Sequence, residues 1–100
     1  EVSSGNVVVG TSPVVIDYFP SSTYRSIKYN IQVSGASNFS LDDVSLVHNG
    51  TNATITVTTA STGSNVGVYS ANLTSGNVQL LFTAVNSNTI LRIHKAQFLI

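Results

Sequence analysis

Apolar and polar residues alternate along this chain in short runs, separated by clusters of Gly, Asn, Ser and Pro. In the run Tyr24–Ser34, Ile27, Tyr29, Ile31 and Val33 share one parity, while Ser26, Lys28, Asn30 and Gln32 share the other. Strict period two with one wet face is the signature of an antiparallel strand packed on a core. Further strands are predicted over residues 6–9, 14–19, 44–48, 53–59, 66–73, 78–85 and 89–100. Residues 35–40 and 60–65 read as polar loops, and Pro20-Ser21-Ser22 as a strand stop, because proline lacks a ladder donor. Asn49-Gly50 predicts a hairpin with a type I′ turn, since both residues tolerate positive φ. No stretch carries helix periodicity. About eight strands predict an all-β fold: one antiparallel β-sandwich domain over residues 1–100, jelly-roll-like in one arrangement.

The segment 89–100 breaks its own alternation. Leu91 and Ile93 share one parity, Ala96, Phe98 and Ile100 the other. A bulge near His94-Lys95 would reconcile them. So would a strand that is apolar on both faces and partly covered by a neighbouring subunit.

Composition narrows the function classes. Only 8% of residues are charged, against roughly a quarter in a typical soluble domain. Four basic residues balance four acidic ones. A neutral chain offers no long-range attraction for nucleic acid or anionic lipid, and no self-repulsion to oppose association. Neither a nucleic-acid partner nor membrane insertion is expected, since no apolar run approaches the ~20 residues of a spanning helix. The absence of cysteine excludes disulfides and Cys-based zinc sites. With Glu1 first and no methionine, the chain reads as the C-terminal part of a longer or processed protein.

Candidate chemistry is sparse. His48 and His94 have no partner at metal-ligand spacing and read as ordinary hydrogen-bonding residues. Asp42-Asp43 lacks the ladder of oxygens that calcium gathers and reads as a solvated loop pair. Asp17 is expected to pair across strands with Arg25 or Lys28. No Gly-x-Ser-x-Gly elbow is present, and the carboxylates available for glycoside chemistry are three aspartates and Glu1. No enzymatic activity, cofactor or metal is expected. Tyr18, Phe19, Tyr24, Tyr29 and Tyr69 form either a ligand platform or core packing. Tyr18, Tyr24, Tyr69, Phe98 and Ile100 are the candidates for an interface or ligand face.

Residues 14–33, with Tyr24-Arg25-Ser26 followed by Lys28-Tyr29, resemble a run "VVDSFPSxTYRSxKYxIQV" of a module in virion structural proteins of tailed bacteriophages. The family comprises neck and tail-fibre-like proteins, notably of contractile-tailed phages of marine bacteria and cyanobacteria. Residues 45–53 and 66–83 resemble its later hairpin segments, and Phe98-Leu99-Ile100 its closing apolar tail. Asn49, Ser70 and Asn72 stand where the family carries acidic residues. The resemblance implies a virion location and a non-enzymatic assembly or decoration role in the capsid, neck or tail. It also implies other virion proteins as partners and self-association, trimeric in one arrangement. The alternative is a receptor- or glycan-binding fibre tip that contacts the host surface. Composition alone fits a bacterial surface or pilus-like module equally well.

Overall fold

The computed structural model describes residues 2–63 and 65–100, with side chains from Val7 onward. Eight strands run β1 (Val2–Val9), β2 (Val14–Pro20), β3 (Tyr24–Ser34), β4 (Phe39–His48), β5 (Ala53–Ser61), β6 (Gly67–Thr74), β7 (Asn77–Ala84) and β8 (Thr89–Leu99). Every pairing is antiparallel. One sheet has five strands in the order β1-β8-β3-β4-β5, the other three in the order β2-β7-β6. Together they form the expected β-sandwich. The late strands interleave with the early ones, β8 between β1 and β3 and β7 beside β2, as in a jelly roll, whereas β3, β4 and β5 form a simple meander.

The inward parities meet between the sheets. Ile27, Tyr29, Ile31 and Val33 of β3 pack with Val44 and Leu46 of β4 and with Leu91 and Ile93 of β8. The smaller sheet contributes Ile16, Phe19, Val78, Leu80, Phe82 and Ala84. Burying each large side chain contributes about 1.5–3 kcal/mol, so this shared layer is the main force holding the sheets together.

Several details differ from the sequence expectation, including β1, which begins at Val2, and β5, which runs to Ser61 inside the expected loop 60–65. β4 begins at Phe39, inside the expected loop, and its first residues invert the usual code: Ser40 and Asp42 point inward while Phe39 and Leu41 point out. The Asn49-Gly50 hairpin forms, but not as a type I′ turn. Gly50 takes φ +92° while Asn49 keeps negative φ. Asn49 instead uses its side-chain oxygen, accepting from the Thr51 and Asn52 amides at 2.9 and 2.8 Å. The two-residue turn with positive φ at both positions lies at Ser75-Gly76 (φ 52° and 80°).

The expected bulge at His94-Lys95 is absent. β8 pairs without a register shift from Ser26↔Phe98 to Ser34↔Ile90. The alternation of Leu91 and Ile93 continues by turning Lys95 inward, where it finds a carboxylate. Phe98 is left on the outer face. Register shifts fall elsewhere: in β2 between Val15 and Asp17, opposite β7, and at the start of β3 between Tyr24 and Ser26, opposite β8.

The sheets differ in width, so β5 overhangs. Ala53 and Ile55 are half-buried, and beyond them β5 is exposed on both faces. On the facing edge of the smaller sheet Gly67 of β6 lies under the Phe82 ring, where a Cβ would collide with the ring carbons. Gly67→Ala is expected to destabilise the domain by about 1–3 kcal/mol through overpacking. Gly10→Ala, whose added Cβ meets no atom within 4 Å, should stay within about 0.5 kcal/mol of the parent. Urea denaturation midpoints of the two variants give the comparison.

Candidate functional site

The polar groups between the sheets are the most structured chemistry in the molecule. Asp17 follows the β2 bulge, and its carboxylate meets two residues of the larger sheet. Tyr29 donates its hydroxyl to Oδ2 at 2.8 Å. Lys95 Nζ lies 3.2 Å from Oδ1 and 3.0 Å from Oδ2. Tyr29 and Lys95 are register partners on β3 and β8, so they present hydroxyl and ammonium side by side. The expected partners Arg25 and Lys28 are not the ones used. Arg25 donates to the His48 carbonyl at 3.0 Å, and Lys28 lies on the wet face of β3.

A second carboxylate repeats half of this arrangement with the sheets exchanged. Asp42, on the larger sheet, accepts the Tyr69 hydroxyl of β6 at Oδ2 at 2.6 Å, and Ser40 Oγ reaches the same oxygen at 3.4 Å. Asp42 is 2% exposed, so it is not the solvated loop residue that the Asp-Asp pair suggested; only Asp43 faces solvent. Asp42 Oδ1 is buried and has no hydrogen-bond partner among the described residues. Beside it lies a cleft of about 440 Å³ between the overhanging β5 and the edge of β6. Val57, Thr59, Ser61, Val66 and Tyr69 are among its walls. Ser64, in the expected loop bordering this cleft, lies outside the described residues, as does Glu1 of the carboxylate set.

Both tyrosine hydroxyls are held above the ordinary tyrosine range. At Tyr29 burial is the largest cause, followed by the charge of Asp17 and its hydrogen bond. At Tyr69 burial again leads, followed by the hydrogen bond to Asp42 and its charge. They therefore act as donors, not as bases.

His48 is buried and fully engaged. Its Nδ1 accepts from the Gly50 amide at 3.0 Å, which leaves Nε2–H to donate to the Tyr24 carbonyl at 2.7 Å. The role is the structural one expected of it: it fixes the β4–β5 turn against the start of β3. His94 is on the exposed face of β8.

The five residues singled out for an interface or ligand face are dispersed. Tyr18 is 65% exposed on the outside of β2. Tyr24 is half-buried and meets Phe19 edge-on, with ring centroids 6.3 Å apart. Tyr69 lies against Phe82, with centroids 4.8 Å apart. Phe98 and Ile100 are exposed near the start of β3, where Tyr24 pairs with Leu99 and the Ile100 amide bonds to the Thr23 carbonyl. Tyr24, Phe98 and Ile100 thus share one end of the larger sheet, while Tyr69 belongs to the Asp42 cleft. The five tyrosine and phenylalanine rings proposed as a platform divide in the same way. Tyr18 is exposed, Phe19 and Tyr29 are core, and Tyr24 and Tyr69 pack against it.

This fold recurs in a phage tailspike. The crystal structure of the Acinetobacter phage vB_ApiP_P1 tailspike protein superposes with a TM-score of 0.53 at 16% identity, over 94% of this chain and 21% of that one. The chain therefore spans about a fifth of the tailspike's length, and the likeness is one of fold. No protein-family model matches the chain, and no curated protein sequence does. Among the described residues, no three His, Cys, Asp or Glu side chains come together as a metal cluster.

Because the folded state retains two phenolic protons that the unfolded chain releases above about pH 10, their stabilisation is complete below that pH and declines as pH rises beyond it. Denaturation midpoints should fall above about pH 10, and less steeply in the Tyr29→Phe/Tyr69→Phe double variant. Tyrosinate absorbance from these two residues should develop only with unfolding. Its appearance in the folded protein would contradict the donor roles.

Proposed function

We propose that this chain is a non-enzymatic β-sandwich module of a phage virion structural protein, of the neck or tail-fibre-like kind, that works by packing against other protein surfaces. The outer face of the larger sheet carries this reading. Phe39, Leu41 and Val47 of β4 and Phe98 of β8 are each about half exposed on it. Phe98 and Val47 flank Ser26 in one register row, so they border a shallow groove with Ser45 and Thr54. Around them Ser26, Asn30, Ser45 and Thr54 are interspersed with Lys28, Asp43, Arg92 and His94, so a surface that covers this face must pair a few charges as well as cover apolar area. The resemblance of residues 14–33 to virion proteins and the fold shared with part of a tailspike support the same reading.

The partners are other virion proteins and further copies of the chain, with a trimer as the expected state, and the location is the virion. The alternative, a receptor- or glycan-binding tip built on tyrosines, has weaker support, because only Tyr18 of the four is well exposed.

Light scattering across a dilution series tests the proposal. The expected result is a mass three times that of the chain, independent of concentration. Val47→Lys combined with Phe98→Lys should convert it to a monomer with an unchanged β-sheet circular dichroism spectrum. A monomeric parent chain would remove self-association from this module.

A further inference from the structure

The two carboxylates held between the sheets are chemically similar and unequally satisfied. Each accepts a hydroxyl from a tyrosine of the opposite sheet, at 2.8 Å for Asp17 and 2.6 Å for Asp42. At Asp17 the Lys95 ammonium completes the set at 3.0 Å. At Asp42 no ammonium arrives from the described residues, and Oδ1 is unpartnered among them. The less satisfied carboxylate is also the more buried: Asp42 is 2% exposed, while the Asp17 side chain retains 19%. Burying a charge without a counter-charge is costly, so the Asp42 site favours a cationic donor.

We infer that the cleft between β5 and β6 takes a primary ammonium group on a short aliphatic stem, with its nitrogen on Asp42 Oδ1 and its stem along Val57, Val66 and Val68. The source is a lysine side chain of another polypeptide or a free alkylamine, which present the same group. The cleft, about 440 Å³ in volume, falls in the usual range of small-ligand sites. Thr59 stands directly opposite Asp42 in the β4–β5 register, and Ser61 is two residues further on; both line the cleft. Their hydroxyls can accept the remaining N–H bonds of an ammonium.

Other donors fit less well. A guanidinium gains its advantage by gripping both carboxylate oxygens, and Tyr69 already holds Oδ2. A hydroxyl would supply a hydrogen bond but leave the charge uncompensated. Oδ1 exposes less than 1 Å², so the ligand reaches it by a partial rotation of the carboxylate about its soft terminal torsion, small enough to keep Oδ2 on the Tyr69 hydroxyl. The site is separate from the outer sheet face and does not depend on self-association.

Amide chemical-shift titrations at neutral pH test the inference. The probes are n-butylamine, n-butanol and a lysine blocked at both backbone ends. Both amines should produce saturable shifts at Asp42, Gly67 and Tyr69, and butanol none. Asp42→Asn should weaken binding about tenfold or more. Thr59→Lys should place an ammonium on Asp42 from within the chain and abolish amine binding while the fold is kept, so the test survives if Asp42→Asn does not fold. Tighter binding of the blocked lysine points to a polypeptide source, and equal binding points to a free amine; both support the site. An equal response to butanol, no saturable response to either amine, or undiminished binding by the folded variants overturns it.

Discussion

Strand phase turns two carboxylates, Asp17 and Asp42, into the space between the sheets, and much of the polar architecture answers to that constraint. Asp17 and Asp42 project from opposite sheets, and each is met by a tyrosine hydroxyl from the other. Hydrophobic burial supplies the driving force for sheet association but is indifferent to small lateral displacements. A hydrogen bond to a charged acceptor is stronger and more exacting in distance and angle. The two contacts therefore act as registration points. The apolar layer brings the sheets together, and the Asp–Tyr pairs define where they stop.

The strand framework was legible because the alternation is nearly unbroken. β3 matches its expected span to the residue, and the inward set Ile27, Tyr29, Ile31 and Val33 is buried as its parity requires. Reading failed where inward positions are polar. Extending the parity of Val44 and Leu46 backward places Asp42 and Ser40 inside, and extending that of Leu91 and Ile93 forward does the same for Lys95. The signal was present, but residue type outweighed phase. The β2 bulge had no comparable signal, because Ile16 and Phe19 are both apolar and either strand phase looks acceptable. The partnership of Asp17 with Lys95 was out of reach for another reason: strand order, not sequence proximity, sets it.

The same logic separates the two candidate surfaces. The outer face of the larger sheet owes its apolar character to the inversion in β4, where polar residues turned inward send Phe39 and Leu41 out. The cleft owes its existence to the missing fourth strand in the smaller sheet, which leaves β5 uncovered beyond Ile55. One surface is broad, with Phe98 and Val47 at one end, Leu41 and Phe39 at the other, and Lys28, Asp43, Arg92 and His94 between them. The other is narrow and built around a single buried anion. Assembly with flat protein surfaces suits the first, and recognition of a discrete chemical group suits the second.

The position of β8 bears on how the molecule is made. This strand lies between β1 and β3, so the larger sheet is joined through residues 89–99 that pair with residues 2–9 and 24–34. During synthesis the β3–β4–β5 meander can form early from local contacts. β1 has no neighbour in its sheet until β8 emerges. Pairings of such long sequence separation require large loops to close before they are rewarded, which slows folding. Until then β3 presents an open edge with its backbone donors and acceptors unpaired, the kind of edge that invites pairing with another chain. A nascent module is thus open to strand exchange with its neighbours from the emergence of β3 onward, and the arrival of β8 ends that exposure.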